Sequence, residues 1–394
     1  MVKNSVISTI YIILIFLIPV LSQYAIGGLD LDVIVMSVLF IVLVFGYSIG
    51  IKKSRAFTFF IFYSIAITLI NLLCGNLFAK PIEIMLRLIK FVLYISITVF
   101  LGLEQLITYE RGIKIYRVIA IIATTYILIQ AFFYYFFGIT LPNKIGANLS
   151  EINPEEVGRL RSFYSEPSVM AYCNVPFICC ALFGERYGER DTRLRDAIFV
   201  SIGILLSTSG QGIICTLVIW GVWIIHGIIT GKIKFKEVCT IVLVVILGMA
   251  LYFSGILEFA FNRISDTGEY GAIAARAGGY KSLSLLSVPQ LIFGAGYGNY
   301  VTKNVYGLEV PYEFVNYSSF AENLFVIGIV GSLLLYGTLF IGALKGDIRA
   351  KMIFLVILVL SVSGSPLSSV HLPMYLSFLF LKQPSNSKSM MNEV

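Results

Sequence analysis

Apolar runs of membrane-spanning length recur along this chain from one end to the other, and no other feature restricts its fold so strongly. A helix needs about 17–25 residues to cross a hydrocarbon core of roughly 30 Å. Such runs lie near residues 6 to 24, 33 to 51, 56 to 78, 82 to 103, 115 to 137, 167 to 183, 196 to 209, 211 to 229, 238 to 254, 319 to 344, 352 to 367 and 368 to 382. In lipid each backbone polar group must be paired within its own segment, so the pattern predicts an all-α polytopic integral membrane protein of about twelve transmembrane helices. Composition agrees: 58% of the 394 residues are hydrophobic and 13% charged, against about 45–50% and about 25% in soluble domains. Residues 1–394 read as a single transmembrane domain. The first run, Val6 to Leu21, lacks a small-residue cleavage site before Gln23 and reads as a helix rather than a signal peptide.

Cationic residues are scattered between the apolar runs instead of forming one basic stripe, so the formal net charge of +7 reads as topology and not as nucleic-acid binding. With the N-terminus in the cytoplasm, 19 of the 29 Lys and Arg fall inside, 8 outside and 2 within a span. That bias follows the positive-inside rule, and reversing the chain would invert it. Both termini are therefore expected in the cytoplasm, with residues 138–166 and 255–318 forming two long outer loops. Long loops usually carry function or are disordered. Aromatic and aliphatic residues throughout both argue for order. In the second loop, Ala272 to Leu286 has helical spacing and stops before Pro289. Gly294-Ala295-Gly296-Tyr297-Gly298 then predicts a glycine-rich turn beside a helix at the membrane edge. Neither an internal repeat nor a matched pair of broken helices of the transporter kind is evident.

The six cysteines, Cys74, Cys173, Cys179, Cys180, Cys215 and Cys239, fall in or beside apolar segments without metal-ligand spacing and are expected as small core residues. Two histidines cannot build a metal site alone, and no HExxH or D-x-D pattern accompanies them. His371, beside Pro373, reads as a hydrogen-bonded core residue. No nucleotide-binding glycine loop is present. Neither cofactor nor metal is expected.

The strongest local signal is Arg159-Leu160-Arg161-Ser162-Phe163-Tyr164-Ser165-Glu166-Pro167-Ser168, where the first outer loop enters the sixth span. Glu166 with Pro167 makes a good helix start. Arg159 or Arg161 suits the bidentate grip of a phosphate, or simple anchoring to lipid headgroups. In the second loop, Arg276 and Tyr280 share a helix face at i and i+4, with Lys281 alongside, a combination suited to a sugar phosphate or to solvated charge. Arg87 and Lys90 lie within the fourth span at i and i+3. They face a cavity or partner, or they snorkel to the headgroups.

The Phe163 to Ser168 stretch resembles the Phe-x-x-Glu-Pro-[Ser/Gly] of Wzy-type O-antigen polymerases, bacterial inner-membrane proteins in which an arginine-rich outer loop runs into that motif. The likeness extends to Ser207-Thr208-Ser209-Gly210-Gln211-Gly212, to the arginines and Gly-x-Gly run of the second loop, and to Glu322-Asn323 before Gly328-Ile329-Val330-Gly331, covering roughly residues 155 to 335. It implies a metal-independent glycosyltransferase that moves a growing glycan from undecaprenyl diphosphate to a new lipid-linked repeat on the periplasmic face. Glu166, Arg161 and Arg276 would then be catalytic, and Arg159, Arg87, Lys90, Tyr280, Lys281 and Arg263 would bind substrate and diphosphate. Implied partners are the undecaprenyl-diphosphate-linked oligosaccharide, membrane lipids, a chain-length regulator and a flippase. The alternatives are an O-antigen ligase, or a lipid-linked oligosaccharide flippase or other transporter. Ligases carry a His-Asn pair where this chain has Tyr317 and Ser318, and a flippase calls for short loops and a charged central cavity.

Overall fold

A computed structural model of the chain describes residues 6–26, 29–46, 55–103, 109–144, 160–184, 188–231, 246, 279–300, 304–305, 308–309, 317–367 and 370–380. The described helices are α1 Val6–Leu21, α2 Leu31–Gly46, α3 Arg55–Leu73, α4 Pro81–Leu103, α5 Tyr109–Phe137, α6 Pro167–Phe183, α7 Arg190–Leu206, α8 Gly210–Ile229, the short α9 Val288–Phe293, α10 Ser319–Lys345, α11 Ile348–Ser363 and α12 Leu372–Phe380. A 3₁₀ turn spans Ser282–Leu285. Two small antiparallel ribbons pair β1 Ala25–Ile26 with β2 Leu29–Asp30, and β3 Asn304–Val305 with β4 Leu308–Glu309.

Helices α5, α8 and α10 are long and apolar enough to cross a membrane, and α1, α2, α3 and α6 contain shorter apolar stretches. The chain is an all-α, membrane-embedded protein. Several expected boundaries move. The fifth run starts earlier, at Tyr109, because Glu110 and Lys114 extend the helix by a polar turn joined at 2.7 Å. The seventh starts at Arg190 and stops at Leu206, since Thr208 takes a left-handed conformation (φ 54°) and Ser209 caps α8 by accepting from Gly212 N–H. The last described helix, Leu372–Phe380, runs to the end of the described residues. The 238–254 run lies outside the described residues apart from Ile246.

Apolar side chains point both inward and outward. At the centre, Phe16 of α1, Tyr116 of α5 and Phe378 of α12 form a stack with centroids 4.6 to 5.3 Å apart, and Phe177 of α6 meets Tyr116 edge-on at 5.4 Å. The Tyr116 hydroxyl donates to Cys173 O. On the outside, Val118, Ile122, Ile129, Phe132 and Phe136 of α5 are all exposed, as are Leu217, Leu333 and Phe62 elsewhere. An apolar exterior of this extent is stable only against lipid or another apolar surface.

With lipid outside, helix association depends on close packing rather than on expelling water. Gly203 of α7 lets Thr124 of α5 approach until an added Cβ would sit 2.9 Å from it, and at Gly212 of α8 the same atom would meet Ala171 of α6 at 2.4 Å. Arg117 of α5 grips Asp196 of α7 with two bonds, 2.6 and 3.2 Å. Cys173, Cys179, Cys180 and Cys215 are buried as expected, but Cys74, just past α3, is exposed; Cys239 is outside the described residues.

Candidate functional site

Helix α10 is broken. Gly328 takes φ 65° and ψ −172°, which strips preceding carbonyls of their helical partners. The turn after α9 supplies replacements: Ala295 N–H donates to Phe325 O and Gly296 N–H to Val326 O, both at 2.9 Å. The Tyr63 hydroxyl of α3 lies 3.1 Å from Ile327 O and 2.7 Å from Phe293 O, bracing both sides. At Gly294 (φ 99°, ψ 157°) an added Cβ would sit 2.4 Å from Val326 O. Backbone of this kind is essentially restricted to glycine.

More polar groups fix the same turn. Thr68 Oγ1 accepts from Tyr297 N–H at 2.7 Å, and Asn71 Nδ2 donates to Gly294 O at 3.2 Å. Asn299 accepts from Phe78 N–H (2.7 Å) and donates to Asn76 O (2.8 Å) and Ala295 O (2.7 Å). Residues 294–299 are all buried. The glycine-rich turn is therefore an internal plug between α3, α4 and α10, not an exposed feature of the membrane edge.

The plug positions Arg87. One guanidinium nitrogen donates to Gly298 O at 3.0 Å, and another lies 3.5 Å from Glu83. The guanidinium carbon sits 4.4 Å from the Tyr300 ring centre, a cation–π contact. Tyr300 in turn meets Tyr317 at 5.6 Å, and Tyr317 meets Phe325 of α10 at 5.7 Å. Two carboxylates act electrostatically here: Glu83, paired with Arg87 and also acting on Tyr300, and Glu322, in the first turn of α10, acting on both Arg87 and Tyr300. Burial pushes the Tyr300 hydroxyl up to about 12, with the Glu322 charge adding to the rise and Arg87 opposing it. A cation, two carboxylates and two aromatic faces thus meet at one end of the bundle.

The other expected site residues divide. Lys90, one turn from Arg87, is held by Asp30 at 3.1 Å and by the fully buried Asp32 at 3.0 Å, and the Tyr94 hydroxyl donates to the same Asp32 oxygen. It ties α4 to the start of α2 as an internal counter-charge. Arg161 donates to Ser165 O at 2.9 Å. Its loop is fixed by Ser162 (φ 56°), whose N–H donates to Gln130 Oε1 at 2.8 Å and whose hydroxyl reaches Ala123 O at 2.8 Å. Glu166 occupies the N-cap of α6 but makes no side-chain cap bond; its exposed carboxylate accepts from Ser168 Oγ at 2.9 Å. Tyr280 donates to Val362 O at 3.1 Å and lies 3.3 Å from Ser318 Oγ, and Lys281 is exposed beside it. Arg159, Arg263 and Arg276 lie outside the described residues.

These pieces share one end. Gln23, just past α1, donates to Phe163 O at 3.0 Å and accepts from Asn143 at 3.2 Å, joining the loop residues at 138–144 and 160–166 to the ribbon that carries Asp30. Asp30 reaches Lys90, and Lys90 shares α4 with Arg87. At the opposite end Arg349 lies over the Tyr109 ring at 4.3 Å, and a pocket is lined by Arg190, Arg193 and His226. His371 is buried as expected, edge-on to Tyr172 at 5.4 Å. Gln211, from the Ser207 to Gly212 motif, accepts from the Tyr172 hydroxyl. Among the described residues no group of three or more His, Cys, Asp or Glu is arranged to hold a metal.

No family model matches the chain, and no curated protein matches it. Arg87 stands out in the sequence as a cation within a span, whereas Glu322 does not stand out there as a site residue. The available signal was a carboxylate six residues before a Gly-x-x-Gly inside an apolar run.

Proposed function

We propose that the protein is an O-antigen polymerase of the bacterial inner membrane, transferring a growing glycan from undecaprenyl diphosphate to a newly exported lipid-linked repeat. In this reading the end carrying Arg87, Glu322 and Arg161 faces the periplasm, about twelve helices span the membrane, and both termini are cytoplasmic. The observation that supports it is the Arg87–Tyr300–Glu322 constellation beside the anchored Arg161 loop. Such a reaction needs cations where diphosphate charge develops, a carboxylate for the acceptor hydroxyl, and aromatic faces for sugar rings. The aromatic stack of Phe16, Tyr116 and Phe378 closes the space between α1, α5 and α12, which disfavours a flippase passage between these helices. Tyr317 and Ser318 at the ligase His-Asn position disfavour a ligase.

Deleting the gene and resolving lipopolysaccharide on a gel tests this. A polymerase leaves core capped by a single repeat. A core with no repeat points instead to ligase or flippase activity, and an unchanged ladder removes the polymerase reading.

A further inference from the structure

The geometry points to Glu322, rather than Glu166, as the base that takes the acceptor hydroxyl proton; this rests on the polymerase reading above. Glu322 is half-buried in an apolar helix, where a carboxylate is costly and its retention calls for a use. Helix capping does not account for it. Ser318 is the N-cap and accepts from Ala321 N–H at 3.3 Å, so Ala321 occupies the position from which a capping-box glutamate reaches back. Glu322 comes one residue later. Among the described residues its carboxylate accepts no hydrogen bond, and the charged or titratable groups acting on it are Arg87 of α4, Tyr297 and Tyr300 of the plug, and Tyr336 of α10.

Glu166 is built differently. Its carboxylate is exposed and already accepts from Ser168 Oγ. Both carboxylates lie at the N-terminal end of a helix, so the dipole favours the ionised form of each, and it is exposure and the Ser168 bond that set Glu166 apart.

In the step assigned to Glu322, the acceptor sugar oxygen bonds to the anomeric carbon of the donor glycan. The bond from that carbon to the diphosphate oxygen breaks, and undecaprenyl diphosphate leaves with the electron pair. The hydroxyl proton passes to the Glu322 carboxylate and then to water at the membrane surface. Arg87 is the cation acting on that carboxylate, and Tyr300 and Tyr317 offer faces for the acceptor ring.

The test expresses Glu322→Gln and Glu322→Asp in the deletion strain, with protein abundance measured and elongation followed in membrane vesicles carrying the strain's own lipid-linked repeats. Glu322→Gln at wild-type abundance should lower elongation by about 10²–10⁴-fold, the usual contribution of a general base. It should also lose the acid limb of the pH profile. Glu322→Asp should keep a shifted limb at reduced rate. A normal ladder and rate from Glu322→Gln, in a strain whose deletion collapses the ladder, overturns the role of Glu322 and leaves the polymerase reading intact. If Glu322→Gln is poorly produced, Glu322→Asp decides: a pH profile identical to wild type overturns the inference. A deletion that leaves the ladder unchanged overturns both.

Discussion

Replacing Gly294 by alanine should dislodge the plug from the break in α10, and the structure sets the size of the effect. The backbone at φ 99° and ψ 157° is open to glycine alone, and holding another residue there costs about 1–3 kcal/mol. The new Cβ would lie 2.4 Å from Val326 O and 2.6 Å from Ile327 Cα, so the turn or the helix must move. Movement weakens the bonds from Ala295 and Gly296 to Phe325 O and Val326 O. Each is worth about 0.5–1.5 kcal/mol net, and a buried carbonyl left unpaired costs about 1–3 kcal/mol. The strain and the two weakened bonds together give roughly 2–6 kcal/mol, enough to change the folded-to-unfolded ratio about 30-fold or more. The measurement is the loss of monodisperse protein after stepwise heating of the detergent-solubilised chain. Gly337→Ala, on the same helix with no atom within 4 Å of its added Cβ, is the control and should be neutral or stabilising. A Gly294→Ala protein that survives heating as well as Gly337→Ala would refute the plug as a structural element.

Lys90→Met should destabilise the protein by about 3–5 kcal/mol, because it strands the buried Asp32 carboxylate; adding Asp32→Asn should recover most of the loss in the same heating assay, and no recovery would show that Lys90 acts elsewhere. Asn299→Asp keeps the acceptor for Phe78 N–H but abolishes donation to Asn76 O and Ala295 O, so the thermal midpoint should fall and the ladder weaken together. Arg161→Lys keeps charge without the bidentate fork and should clearly reduce polymer, while Arg161→Ala should cost about 10²–10³ in rate at unchanged abundance; a normal ladder from Arg161→Ala would leave that residue a surface anchor.

The architecture class was legible in the sequence because lipid imposes one rule on every span: apolar side chains outside and helical pairing of the backbone within. That rule needs no knowledge of neighbours, and it located α1 to α6 and α10 from hydropathy alone. Local chemistry was legible where it is local, as at Pro167 opening α6 and the glycines that end α9. What these elements do to one another was not. The Gly-x-Gly turn looked like an edge feature because its partners, Thr68, Asn71, Arg87 and Val326, are distant in sequence and apolar spacing does not encode them. Arg87 and Lys90 are one turn apart and alike on paper. Only packing separates them, since the α1–α2 ribbon brings two aspartates to Lys90 while the plug brings a carbonyl and a tyrosine ring to Arg87. Glu322 gains its meaning in the same way, because a carboxylate's chemistry is set by the charges and rings around it, and those outside its own helix come from α4 and the plug.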